Sequence, residues 1–97
     1  MTRKYLRITE VVKICGINRK FILRLERESL ISPVTRRSRK LYPREEVDRI
    51  RVARLLIEEM GVNLEGAEVA LHMRDQMIAM QRQFGELPRL LGKEMKR

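Results

Sequence analysis

One stretch, Ile31–Asp48, constrains this 97-residue chain more than any other; it reads ISPVTRRSRKLYPREEVD. A proline-led turn opens it, the cations Arg36, Arg37, Arg39 and Lys40 fill it, and Tyr42-Pro43 closes it at the start of a helix. No acidic residue occurs between Glu28 and Glu45. A short basic hairpin set between two helical segments has the form needed to lie along a phosphate backbone, which makes nucleic acid the first partner to consider.

The charge is unevenly placed. The chain has a formal net charge of +9; residues 1–60 carry 16 Lys+Arg against 8 Asp+Glu, and residues 61–97 carry 6 against 5. The front of the chain is thus the electrostatic footprint, and any binding through it should depend strongly on salt. Cys15 is the single cysteine, so an intramolecular disulfide is excluded; its apolar helical setting points to a buried, reduced thiol. No apolar run is long enough to span a membrane, and Met1–Glu10 lacks the core of a signal peptide. The expectation is a soluble, cytoplasmic domain. No catalytic constellation stands out, there is no glycine-rich phosphate loop, and His72 is the lone histidine, without a ligand set around it. Neither an enzyme nor a metal or cofactor site is expected.

Tyr5–Ile8 alternates as a short strand. Thr9 is placed to cap a helix through about Cys15, with Val11, Val12 and Ile14 as its apolar surface. Gly16 suits the turn that follows. Asn18 then caps a second helix, about Arg19–Ser29, whose Ile22 and Leu25 face the first. Helix, tight turn and helix make a helix-turn-helix, in which the start of the second helix enters the DNA major groove. Arg19, Lys20 and Arg24 are its exposed residues, with Asn18 or Phe21 as base contacts. A solvated basic face has the same composition; the adjoining basic hairpin favours DNA.

Ser32-Pro33 ends the second helix. Val34–Lys40 reads as a hairpin with Leu41 and Tyr42 on its return strand, and a third helix begins near Pro43 with Glu45 and Glu46 at its positive end. Val47, Ile50, Ala53 and Ile57 supply its core face, and Gly61 ends it. Asn63 caps a fourth helix from about Leu64 to Phe84, where Gly85 and Pro88 interrupt it. This helix carries two apolar stripes. Leu64, Ala67, Leu71 and Ile78 can cover the small core, while Ala70, Met73, Met77, Met80, Phe84 and Leu87 repeat as a coiled-coil seam. One helix cannot bury both, so the second stripe is expected to meet another chain, most simply a second copy. Leu90–Arg97 reads as a frayed basic tail.

In this order the pieces resemble the MerR superfamily of winged helix-turn-helix regulators. The resemblance rests on Ile8-Thr9-Glu10-Val11, on Cys15-Gly16-Ile17, and on Ser29-Leu30-Ile31-Ser32-Pro33, where the family has Gly-Leu-Leu-x-Pro. It extends to Lys40-Leu41-Tyr42 in place of Arg-x-Tyr, then Glu45-Glu46-Val47-Asp48-Arg49-Ile50, and to Gly61–Gly66. The last segment and the short tail look most like the heat-shock-repressor branch and its relatives, the CbpM-type chaperone modulators, which hold a DnaJ-like co-chaperone by its J-domain. The recognition-helix pattern Thr-Leu-Arg-Tyr-Tyr-Glu is altered here to Phe21-Ile22-Leu23-Arg24-Leu25-Glu26. That change favours a modulator, whereas the basic charge favours DNA.

The expected fold is mainly α: a winged helix-turn-helix over residues 1–62 with a small β-wing, a dimerisation helix over 63–88, and a basic tail over 89–97. The resemblance implies a DNA-binding transcription regulator of chaperone or stress genes; the alternative is a modulator with a DnaJ/DnaK-type chaperone as partner. Expected DNA contacts are Asn18, Arg19, Lys20 and Arg24 on the helix, Arg36, Arg37, Arg39, Lys40 and Tyr42 on the wing, and Arg44 beyond it. A homodimer is expected through Ala70, Met73, Met77, Met80 and Phe84.

Overall fold

The computed structural model describes residues 4–95, with side chains described through residue 85. Along the chain come β1 (Tyr5–Leu6), α1 (Ile8–Cys15), α2 (Arg19–Arg27), β2 (Val34–Arg36), β3 (Arg39–Pro43), α3 (Arg44–Arg54), a π-helical turn (Leu55–Glu59) and α4 (Leu64–Met95). The three strands form one antiparallel sheet in the order β1-β3-β2. Leu6 pairs with Tyr42 and Val34 with Leu41, so the hairpin is stitched to the start of the chain through β3. The architecture is a mainly helical winged helix-turn-helix, as the residue pattern anticipates.

The helix ends follow from local hydrogen bonding. α1 starts at Ile8, two residues before a helix capped by Thr9 would, because the Glu10 carboxylate accepts from the Arg7 amide at 2.9 Å while the Arg7 carbonyl accepts from Glu10 and Val11. A carboxylate one turn into a helix reaching back to the preceding amide satisfies a donor the helix itself leaves open. α1 closes at Gly16, whose φ of +64° is left-handed and whose amide bonds the Val12 carbonyl. Asn18 caps α2 through its side-chain oxygen, 2.7 Å from the Lys20 amide. Asn63 does the same for α4, 2.8 Å from the Gly66 amide. A Cβ on Gly66 would lie 2.8 Å from the Val62 side chain, so glycine lets this cap form.

The core lies where the helices converge under the sheet. Ile22 and Leu25 of α2, Ile50 and Ala53 of α3, and Ala67 and Leu71 of α4 are at most 1 % exposed. Fully burying a leucine or isoleucine side chain contributes about 1.5–3 kcal/mol, so this set is the main source of stability. On α1 the inward face is Val11, with Val12 and Cys15 half-buried. Ile14, read from sequence as part of this apolar surface, is 58 % exposed, because it lies off the stripe that Ile8, Val11, Val12 and Cys15 form at helical spacing. Cys15 is likewise not buried; its Sγ accepts from Arg51 Nε at 3.3 Å.

α4 does not stop at Phe84. Its backbone stays helical through Gly85 and Pro88 to Met95, which also makes the basic tail helical up to that residue. Proline's own φ is helical; what it removes is one hydrogen bond and some room beside a carbonyl one turn earlier. Leu87, Leu90, Leu91 and Glu94 around it are strong helix formers. The Leu87 side chain lies outside the described residues.

Candidate nucleic-acid interface

The second helix of the helix-turn-helix is held on two sides. Ile22 and Leu25 anchor its inner face, leaving Asn18, Arg19, Lys20 and Arg24 exposed on the outer one. At its C-terminus the Leu30 amide bonds the Leu25 carbonyl at 2.8 Å and the Ser29 amide bonds that of Glu26. This is the Schellman arrangement, which requires a left-handed residue; Ser29 supplies it with φ +64°.

The wing turns sharply. Arg36 of β2 pairs with Arg39 of β3, leaving only Arg37 and Ser38 between them, at φ +52° and +63°. Positive φ at both central residues is the requirement of a type I′ turn, whose twist matches that of the flanking strands. The turn therefore carries Arg37 to its tip. Arg36 is not free to wander, for its Nη2 lies 3.0 Å from the Tyr5 hydroxyl and its guanidinium sits 4.5 Å from the Tyr5 ring centroid.

Helix and wing are tied together by Glu26. Its carboxylate accepts from Lys40 Nζ at 2.8 and 3.0 Å and from the Tyr42 hydroxyl at 2.9 Å. Tyr42 is wholly buried. Burial and the adjacent Glu26 charge hold its phenol well above the usual tyrosine range, so it stays protonated and donates. This corrects the expectation that Tyr42 touches nucleic acid: its ring is core and its hydroxyl is spent on Glu26. Lys40 is exposed on the wing, but its ammonium is already paired with the same carboxylate.

Several of the cations line two clefts. Arg7, Ile8, Thr9, Arg19, Arg39 and Lys40 line one of them, between α1, α2 and the wing. Tyr5, Arg7, Glu10, Arg36, Arg37, Arg39 and Leu41 line the other, beneath the wing. Asn18, Lys20, Arg24 and Arg44 are exposed but line neither. Sequence reasoning missed Arg7 and Tyr5, because a single cation beside a two-residue strand has no pattern; only the pairing of β1 with β3 brings them to the wing.

Behind this face, Arg49 of α3 reaches the Leu30 carbonyl with Nε and Nη2, at 3.1 and 2.9 Å, and pairs with Asp75 of α4. One guanidinium thus joins α3, the end of the helix-turn-helix and the long helix. On the far side of α4, Met73, Met77, Met80 and Phe84 are 51–63 % exposed, with Ala70 half-buried beside them. Leu64, Ala67, Leu71 and Ile78 instead turn inward or lie at the boundary, as the two-stripe pattern implies. Among the described residues no helix is long and apolar enough to cross a membrane, and no three of His, Cys, Asp and Glu come together as metal ligands.

The sequence model of the MerR HTH family regulatory proteins matches residues 6–89, from β1 into α4. No curated protein matches the chain.

Proposed function

Because the chain belongs to the MerR family of helix-turn-helix regulatory proteins, we propose that it is a cytoplasmic regulator that binds double-stranded DNA, with chaperone or stress genes as its targets. In this reading residues 1–62 are the DNA-binding unit, residues 63–88 the dimerisation helix and residues 89–97 a basic tail. Arg19, Lys20 and Arg24 enter the major groove with Asn18 at its edge, while Arg36, Arg37 and Arg39 follow the flanking phosphates and Arg44 adds one more. Lys40 acts mainly by holding the wing in place. A second copy packed along Ala70, Met73, Met77, Met80 and Phe84 presents two such faces to an inverted repeat.

The observation that carries the reading is the Glu26 tie, which makes the basic helix and the basic wing parts of one surface. The choice of chaperone or stress genes rests on the likeness of Gly61–Gly66 to the heat-shock-repressor branch.

The test is titration against the duplex upstream of the protein's own gene and against a scrambled duplex, at about 50 and about 200 mM salt. A preference of at least roughly 10³-fold for the upstream duplex supports regulation. Equal binding that vanishes at the higher salt contradicts it. A second reading, favoured by the exposed methionine face and by Leu23 standing where the family has arginine, is a modulator that holds a J-domain co-chaperone. Its mark is stoichiometric co-purification of a DnaJ-like protein.

A further inference from the structure

Three arginines from three separate segments line one open cleft of about 420 Å³: Arg7 before α1, Arg19 at the start of α2 and Arg39 on the wing. Among the described residues none of the three side chains forms a hydrogen bond or ion pair, whereas Lys40 beside them is already matched by Glu26. No carboxylate lines this cleft. Ile8 and Thr9, the first residues of α1, also line it, and a helix leaves its first amides without a carbonyl one turn earlier to bond. Unmatched like charges held together repel, and an anion between them relieves that repulsion.

The cations are not confined to this cleft. Arg7 and Arg39 also line the neighbouring cleft with Arg36 and Arg37; its one carboxylate, Glu10, bonds the Arg7 amide, and the four arginines carry the charge from α1 to the wing tip. A strip of this kind fits a chain of phosphates better than a free one.

We propose that Arg7 adds a contact to a backbone phosphate of the bound duplex at the start of α1, beside Arg19 and Arg39, which the DNA reading already places on the duplex. It rests on the DNA reading above. The strip gives one continuous phosphate track, with Arg7 and Arg39 shared by its two halves. The Arg7 amide stays bonded to Glu10 whatever side chain it carries, so the position tolerates substitution without loss of α1.

The experiment compares wild type, Arg7→Gln, Arg7→Lys and Arg82→Gln on one duplex across a salt series, with folding checked by thermal melts. Arg82→Gln removes the same charge from α4, which lines neither cleft. The expected result is that R7Q flattens the log–log salt dependence by about one unit, R7K keeps it, and R82Q leaves it unchanged. Affinity of R7Q should fall alike on upstream and scrambled duplexes, since the contact reads no base. R7Q matching R82Q while wild type binds would overturn the contact and leave the DNA reading intact; wild type failing to bind any duplex at low salt would overturn both. Inorganic phosphate that displaces duplex from wild type better than chloride of equal ionic strength, but not from R7Q, would assign the cleft to a free anion and overturn the proposal.

Discussion

The Glu26 carboxylate on α2 sits 2.8 Å from the Lys40 ammonium on β3. Fourteen positions apart in sequence, the two residues join the helix that would enter a groove to the strand that would follow the phosphates beside it. The same carboxylate takes the Tyr42 hydroxyl, so a largely buried ring and an exposed cation are both oriented by one acid. Removing Glu26 therefore acts on stability and on the relative placement of helix and wing together.

Glu26→Ala leaves the buried Tyr42 hydroxyl without its acceptor, a loss of about 1–3 kcal/mol, and frees Lys40. Tyr42→Phe removes the donor instead and should cost about 1 kcal/mol. Urea melts of the two variants check the order. A Glu26→Ala variant as stable as wild type would mean that the tie contributes nothing to the fold.

The same contact gives the stability a pH dependence. Folding raises the Tyr42 pKa, chiefly through burial and then through Glu26, whereas the unfolded chain ionises this group near pH ~10. The contribution is therefore complete below about pH 10 and is lost as the pH rises further towards the folded value. Urea midpoints between about pH 8 and about pH 11 should fall for wild type and fall less for Tyr42→Phe. Parallel declines would contradict this.

Ser29 and Gly61 both occupy left-handed backbone, at φ +64° and +71°. Only Gly61 has the residue that conformation favours. Ser29→Gly should stabilise the protein by about 1 kcal/mol, and Gly61→Ala should destabilise it by about the same amount. Opposite shifts in the denaturation midpoint check the pair; shifts of the same sign would show that something other than φ decides one of them.

Neutralising Arg36 and Arg37 together should weaken binding to all duplexes and flatten the salt dependence by about two units. Arg36 is already positioned on Tyr5, so Tyr5→Leu should lower affinity modestly with the charge count unchanged. Unaltered affinity in the double variant would remove the wing from the interface.

Met77 is 60 % exposed in the middle of the outward face of α4. Met77→Glu should turn a dimer into a monomer, read by sedimentation, while the melting of the winged domain stays near that of wild type. A wild-type protein already monomeric at micromolar concentration would contradict self-association along this face.

Much of this was legible from residue types. Asn18 and Asn63 announce helix starts because their side chains mimic a carbonyl, and Gly16 and Gly61 announce ends because only glycine takes positive φ without strain. The basic run between Glu28 and Glu45 marked the wing, and the two stripes of α4 foretold which face turns inward. Much of what sequence spacing did not carry was set by partners distant in the chain. Tyr42 looked like a surface aromatic in a basic segment until Glu26 took its hydroxyl and the core took its ring. Lys40 looked like a free cation for the same reason. Arg7 gained its place only when β1 paired with β3, and α1 began early because Glu10 reached back to an amide that no propensity scale records. Pro88 looked like a stop, yet α4 runs past it.

We propose that the basic helix and wing form one surface that reads duplex sequence. Its most direct test is selection from a random duplex pool by the purified protein, followed by sequencing of the bound fraction. Enrichment of one half-site present as an inverted repeat is expected, lost when Arg19 and Arg24 are replaced by glutamine. A bound fraction as random as the input, at a salt concentration where binding persists, would contradict it.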